Sequence, residues 1–243
     1  MKDVDGKTDP HFTSDMILKE MKNLRNEENL IGMARYGIKV ENALGIPVRW
    51  LRARARSLPR DNRLAIELWS TRIHEAMIMA TIVAVPKTFE KEMAFKWCDD
   101  FDSWDLCDQC CSNLFSRTPY AREFVEPWCS SDREFVRRAG FVMIAVLAVR
   151  EKSSPSSSFA PYLDLVIQGS MDERNNVKKA VSWALRQIGK RDIKGLEMAI
   201  LVAKKLASSK DPSARWVGKD ALRDLMSPDI REKLLRKRKM MTE

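Results

Sequence analysis

The sequence predicts an all-α protein, and three observations carry that prediction. Glycine is scarce, at 9 in 243 residues, while the strong helix formers Ala, Leu, Met, Lys, Arg and Glu dominate. Alternating β-branched runs are rare, and apolar residues recur at three- and four-residue spacing instead. From Arg63 onward the chain falls into helical segments of roughly 10 to 20 residues separated by short polar breaks, as in stacked helix pairs. The length suffices for a single body over 1–243 with its own core. Residues 1–13 read as a disordered lead and 230–243 as a basic tail.

Taken in order, the first helix is expected to start at Ser14-Asp15, whose side chains can cap free N–H groups. It carries Met16, Ile17, Met21 and Leu24 on one face. Asn26 to Asn29 should break it. A second element, Gly32 to Val40, should end near Leu44-Gly45-Ile46-Pro47, where Gly stops a helix and Pro can occupy the first turn of the next. That next helix holds Arg49, Arg52, Arg54 and Arg56, with Arg60 and Arg63 beyond and only Asp61 to oppose them. It reads equally as a solvated basic face or as a surface that contacts phosphates.

Further on, Asp132 to Ala139 resembles Asp172 to Ala180: an Asp at the start, then Val, two basic residues and Ala, with the alanines 41 positions apart. Ala184-Leu185-Arg186 recurs more loosely 37 positions later as Ala221-Leu222-Arg223. Periods near 40 describe HEAT-like repeats, which build an α-solenoid with an extended concave face. Lys152 to Ser158 is the one low-complexity break and reads as a mobile connection between neighbouring repeats.

A net charge of +9 draws polyanions, so nucleic acid is the first partner to consider and an anionic membrane the second. The apolar runs Met77 to Val85 and Phe141 to Val149 are too short to span a bilayer, and Met1 to Pro10 is not a targeting pattern. The five cysteines, Cys98, Cys107, Cys110, Cys111 and Cys129, are odd in number and unevenly spaced, which suits reduced thiols in the cytoplasm. Cys107-x-x-Cys110 has no second pair for zinc and follows no strand, so neither a metal nor a cofactor is expected.

Two stretches carry candidate chemistry. In Ser103-Trp104-Asp105-Leu106-Cys107-Asp108 the i, i+4 relation stands Trp104 beside Asp108. An ordinary amphipathic helix would give this, and so would a site that offers a developing cation a carboxylate and a π face. In Lys178 to Gln187 one stripe runs Lys179, Trp183, Arg186 and Lys190. Tryptophan among cations suits a nucleic-acid surface, and it equally suits a core Trp whose edge is covered by basic stems.

Together, Tyr36 with Leu44-Gly45-Ile46-Pro47, Ser103 to Asp108, Arg137-Arg138-Ala139 and Ala180 to Arg186 resemble the AlkD-type DNA alkylation repair enzymes, HEAT-like repeat DNA glycosylases, over roughly residues 30 to 225. The resemblance implies Asp108 as catalytic carboxylate and Trp104 and Trp183 as the aromatic pair flanking the lesion. It also implies Arg138 as a backbone-contacting arginine and Tyr36 as an aromatic that touches DNA. Lys179, Arg186, Lys190, Arg49 and Arg52 would add phosphate contacts on a basic concave face. The implied reaction removes N3- and N7-alkylated purines from double-stranded DNA without deep base flipping, by a monomer in the cytoplasm, nucleoid-associated in a prokaryote. The family also holds DNA-binding relatives with little or no excision. Gln187 departs from the pattern, standing where an acidic residue is common, and Cys107 to Cys111 is richer in cysteine than usual.

Overall fold

The computed structural model describes residues 13–240, with side chains to residue 236. The described chain is helical: α1 (Ser14–Lys22), α2 (Glu27–Arg35), α3 (Val48–Ala55), α4 (Asn62–Ser70), α5 (His74–Val83), α6 (Lys91–Asp99), α7 (Trp104–Asn113), α8 (Val125–Cys129), α9 (Glu134–Arg150), α10 (Ala160–Gly169), α11 (Asn175–Gly189), α12 (Ile193–Ala207), α13 (Pro212–Leu225) and α14 (Pro228–Met240). Of the expected disordered lead, only Thr13 is described. The basic tail continues as α14 to Met240, and the rest lies outside the described residues. The chain divides into two compact units, Met1–Phe95 with Arg117–Pro119 and Lys96–Ser116 with Tyr120–Glu243.

In the first unit the caps shift the expected boundaries. Thr13, one residue before the expected start, accepts the Met16 N–H at 3.3 Å. Asn26 is the N-cap of α2, so only Asn23 to Asn26 separate the first two helices. That second helix ends at Arg35, well before the expected end near Leu44 to Pro47, because Gly37 takes φ 74° and turns the chain into a loop that runs to Pro47. Glu75, buried in the first turn of α5, fixes the end of this loop. Its carboxylate accepts the N–H groups of Leu44, Gly45 and Ile46 at 2.8, 2.7 and 3.2 Å. Gly45 is at φ 74°, and a Cβ there would lie 2.3 Å from the Asn26 carbonyl oxygen, so no other residue fits. The Leu-Gly-Ile-Pro motif is thus a carboxylate-binding turn.

In the second unit, contacts between α7, α9, α11 and α13 advance in step. The Cys107 and Cys111 thiols donate to the Phe135 and Ala139 carbonyls at 3.6 and 3.8 Å, each 28 residues on. Lys178 meets Trp216, Ser182 meets Asp220 and Arg186 meets Asp224, each 38 residues on. A constant offset along two helices means that they run parallel, as the second helices of successive repeats do. The Asp of the repeat caps α13, where Asp211 accepts the Ala214 N–H at 2.7 Å, but it does not cap α11. Asp172 instead receives both the Arg174 guanidinium and its backbone N–H, and pairs with Arg137 at 3.4 Å. Gly218 lets α13 approach α12, since a Cβ there would lie 2.2 Å from the Ala207 nitrogen.

The Ser-rich run expected to be mobile is held in place. Its last residues, Ser156 to Ser158, form a 3-10 turn with the following Phe159, and Ser156 and Phe159 are buried. The Arg191 guanidinium binds the carbonyls of Ala148, Glu151 and Ser154 and lies 4.1 Å from the Phe159 ring centroid. Asp192 accepts the Ser156 N–H at 3.2 Å. Composition predicts mobility only where no neighbour supplies these partners.

Candidate nucleic-acid site

The candidate site lies in the second unit and begins with the two faces of α7. Leu106, Cys107, Cys110 and Cys111 are buried, while Trp104 and Asp108 stand one turn apart on the half-exposed side. The cysteines are packing residues. Burial pushes the Cys107, Cys110 and Cys98 thiols well above their ordinary value and Cys111 up to about 11, so they stay protonated at neutral pH.

Asp108 is held by α9. Arg138 Nε and Nη2 donate to its two carboxylate oxygens at 2.9 and 2.8 Å, a bidentate pair. The guanidinium carbon also lies 5.9 Å from the centroid of the Trp104 ring, so indole, guanidinium and carboxylate form one cluster. The Asp108 side chain is 20% exposed and that of Arg138 only 8%. Burial pushes the Asp108 carboxyl above its ordinary value; the Arg138 charge and hydrogen bonds oppose that rise, and Asp105 adds to it.

The same guanidinium reaches the next repeat, where Nη1 donates to the Asn176 carbonyl at 2.6 Å in the first turn of α11. Trp183, half-buried, is seven residues further along that helix. Seven residues are almost two full turns, so Trp183 shares the face of Asn176 about 10 Å along the axis. Arg138 therefore links the helix bearing Trp104 and Asp108 to α11, the helix that bears Trp183.

The cations of the Trp183 stripe differ in their surroundings. Lys179 is exposed and forms no ion pair among the described residues. Lys190 pairs with Asp224 at 2.5 Å, and Arg186 lies 3.5 Å from Asp224 and 3.9 Å from Asp220. Asp220 also accepts the Ser182 hydroxyl at 2.6 Å. Arg186 and Lys190 thus take part in the seam between α11 and α13. In the first unit Tyr36 is 77% exposed at the C-terminus of α2, and Arg49 and Arg52 are exposed on α3. Arg54 of the same helix is instead paired with Glu20 at 2.8 Å.

Sequence reasoning missed Asn176, Asp220, Asp224 and Trp216. Asn176 acts through its backbone carbonyl, which no residue pattern announces. The two aspartates are spaced i, i+4, and the repeat period would have set them opposite Ser182 and Arg186.

A solved structure from a new family of proteins related to the HEAT-like repeat DNA glycosylases, with affinity for branched DNA structures, is similar to this chain. The TM-score is 0.73 at 20% identity, covering 87% of this chain and 95% of that one. It shows the HEAT-like repeat fold. No curated protein matches the chain. The sequence pattern of the DNA alkylation repair enzymes matches residues 17–225. The protein is therefore a member of the DNA alkylation repair enzyme family.

Proposed function

We propose that the protein is a DNA glycosylase that hydrolyses the N-glycosidic bond of N3- and N7-alkylated purines in duplex DNA. The supporting observation is the pinned Asp108 carboxylate beside the Trp104 ring, on a buried guanidinium that fixes its rotamer. An alkylated purine is cationic and leaves with the electron pair of the glycosidic bond as a neutral base. No general acid is needed. Positive charge grows on the deoxyribose as the bond lengthens, and ionised Asp108 stabilises it and orients the water that attacks C1′. That water loses a proton to solvent, which leaves an abasic site. Trp104 and Trp183 offer π faces to the sugar.

Tyr36, Arg49, Arg52 and Lys179 contact the DNA, with Arg186 and Lys190 as further phosphate partners. The test is release of N7-methylguanine and N3-methyladenine from methylated duplex. Asp108→Asn is expected to lower release at least about 100-fold with binding nearly unchanged. Unaltered turnover in that variant would remove Asp108 from the mechanism.

A second reading has its own support: a DNA binder that recognises damaged or branched structures without excision. Both Asp108 oxygens are occupied by Arg138, which leaves the carboxylate largely neutralised. The similar solved protein is related to the glycosylases and has affinity for branched DNA. Tight binding with neither base released would establish this reading over the first.

A further inference from the structure

The seam between α11 and α13 closes with paired groups along most of its length. Ser182 bonds Asp220, Arg186 lies between Asp220 and Asp224, and Lys190 pairs with Asp224. The remaining contact is different in kind. Trp216 of α13 stands opposite Lys178 of α11, whose ammonium nitrogen is 5.6 Å from the ring centroid. The indole is 38% exposed, although α13 already buries Ala214, Val217, Gly218, Ala221 and Leu225 against its neighbours. The core does not require a tryptophan there.

The surroundings of this ring are cationic. Lys179 follows Lys178 and is exposed, and Lys219 is exposed one helical turn beyond Trp216. The carboxylate next along α13, Asp220, is already engaged by Ser182 and Arg223. An exposed indole against Lys178, with the exposed Lys179 and Lys219 close by on the same two helices, suits a ligand with a flat aromatic face and an anionic backbone. Bases inside a duplex have both faces covered by their neighbours. Only a base out of the stack can lie on a protein ring.

We propose that Trp216, with Lys178, Lys179 and Lys219, is a second nucleic-acid contact that stacks an unpaired base and holds its flanking phosphates. It is distinct from the Asp108 cluster, and it rests on the reading of this chain as a DNA-binding protein. It would let the protein favour DNA with single-stranded character over intact duplex, whether or not it excises.

The test is fluorescence anisotropy at fixed salt with a labelled intact duplex and the same duplex bearing a short single-stranded flap. Wild type should prefer the flap, and Trp216→Ala should lose about ten-fold in flap affinity while its duplex affinity changes less than about two-fold. Trp216→Phe should recover most of the loss, since it restores a π face. Circular dichroism and Tm equal to wild type confirm that the variants fold. Equal affinity of wild type and Trp216→Ala for the flap, or equal losses on both DNAs, overturns the Trp216 site and leaves the DNA-binding reading standing. A wild-type protein that binds neither DNA overturns both.

Discussion

At the scale of single residues, the consequential pairing is Asp108 with Arg138. A carboxylate must be ionised to stabilise a growing cation, and burial has raised the value at which Asp108 ionises. The acid limb of kcat/KM should therefore lie above the ordinary 3.8. Arg138 opposes the rise, so Arg138→Gln should move the limb to still higher pH, as a pH–rate profile on methylated duplex would record. The sign for stability follows from the same direction. A carboxyl whose folded pKa is raised holds its proton more firmly when folded, so this group's contribution falls as pH increases from 3.8 through the folded value. A limb unmoved by Arg138→Gln would show that the guanidinium does not act on this carboxylate. The sequence places Trp104 and Asp108 on one face, but it gives no reason to set Arg138 against Asp108, 30 residues away; α9 packing on α7 brings them together.

Among the elements, the loop from Tyr36 to Pro47 shows how a motif attached to function has a structural cause. The loop opens with exposed Tyr36, the residue that follows α2, and it leads into the arginines of α3. Its last turn is fixed by one buried carboxylate, Glu75, that accepts three backbone N–H groups. Glu75→Gln keeps the shape but turns an NH₂ toward those donors, so a loss of about 2–4 kcal/mol is expected, read as a lower denaturant midpoint or Tm. A change below about 0.5 kcal/mol would mean that water replaces the carboxylate there. Pro47 was legible as the start of α3, but Gly45 was read as the stop of a helix that in fact ends at Arg35, and Glu75, about 30 residues on, carries no signal in the sequence that ties it to this turn. The pinned Ser-rich run is the same case, because its partners Arg191 and Asp192 belong to a later turn.

For the whole molecule, the net charge of +9 predicts DNA binding that weakens steeply with salt, but not every cation contributes. Arg186 and Lys190 are already paired with α13. Asp224→Asn removes the carboxylate they share and should tighten duplex binding at low salt. Each cation released onto a phosphate should steepen the log–log salt slope by about 0.9. An unchanged slope would assign Arg186 and Lys190 to the seam alone.

By itself the sequence determined the all-helical class, the period near 40, the face shared by Trp104 and Asp108, and the excess of positive charge. All of these follow from local periodicity or from composition, which one helix or a simple count can carry. Tertiary structure decided which charges are paired within the fold and which are not. Arg138, Arg186 and Lys190 face carboxylates supplied by neighbouring repeats, while Lys179 and the Trp216 ring with its lysines lie open. An ion pair between parallel helices joins residues 30 to 38 positions apart, and helical periodicity relates only those within a few turns of each other.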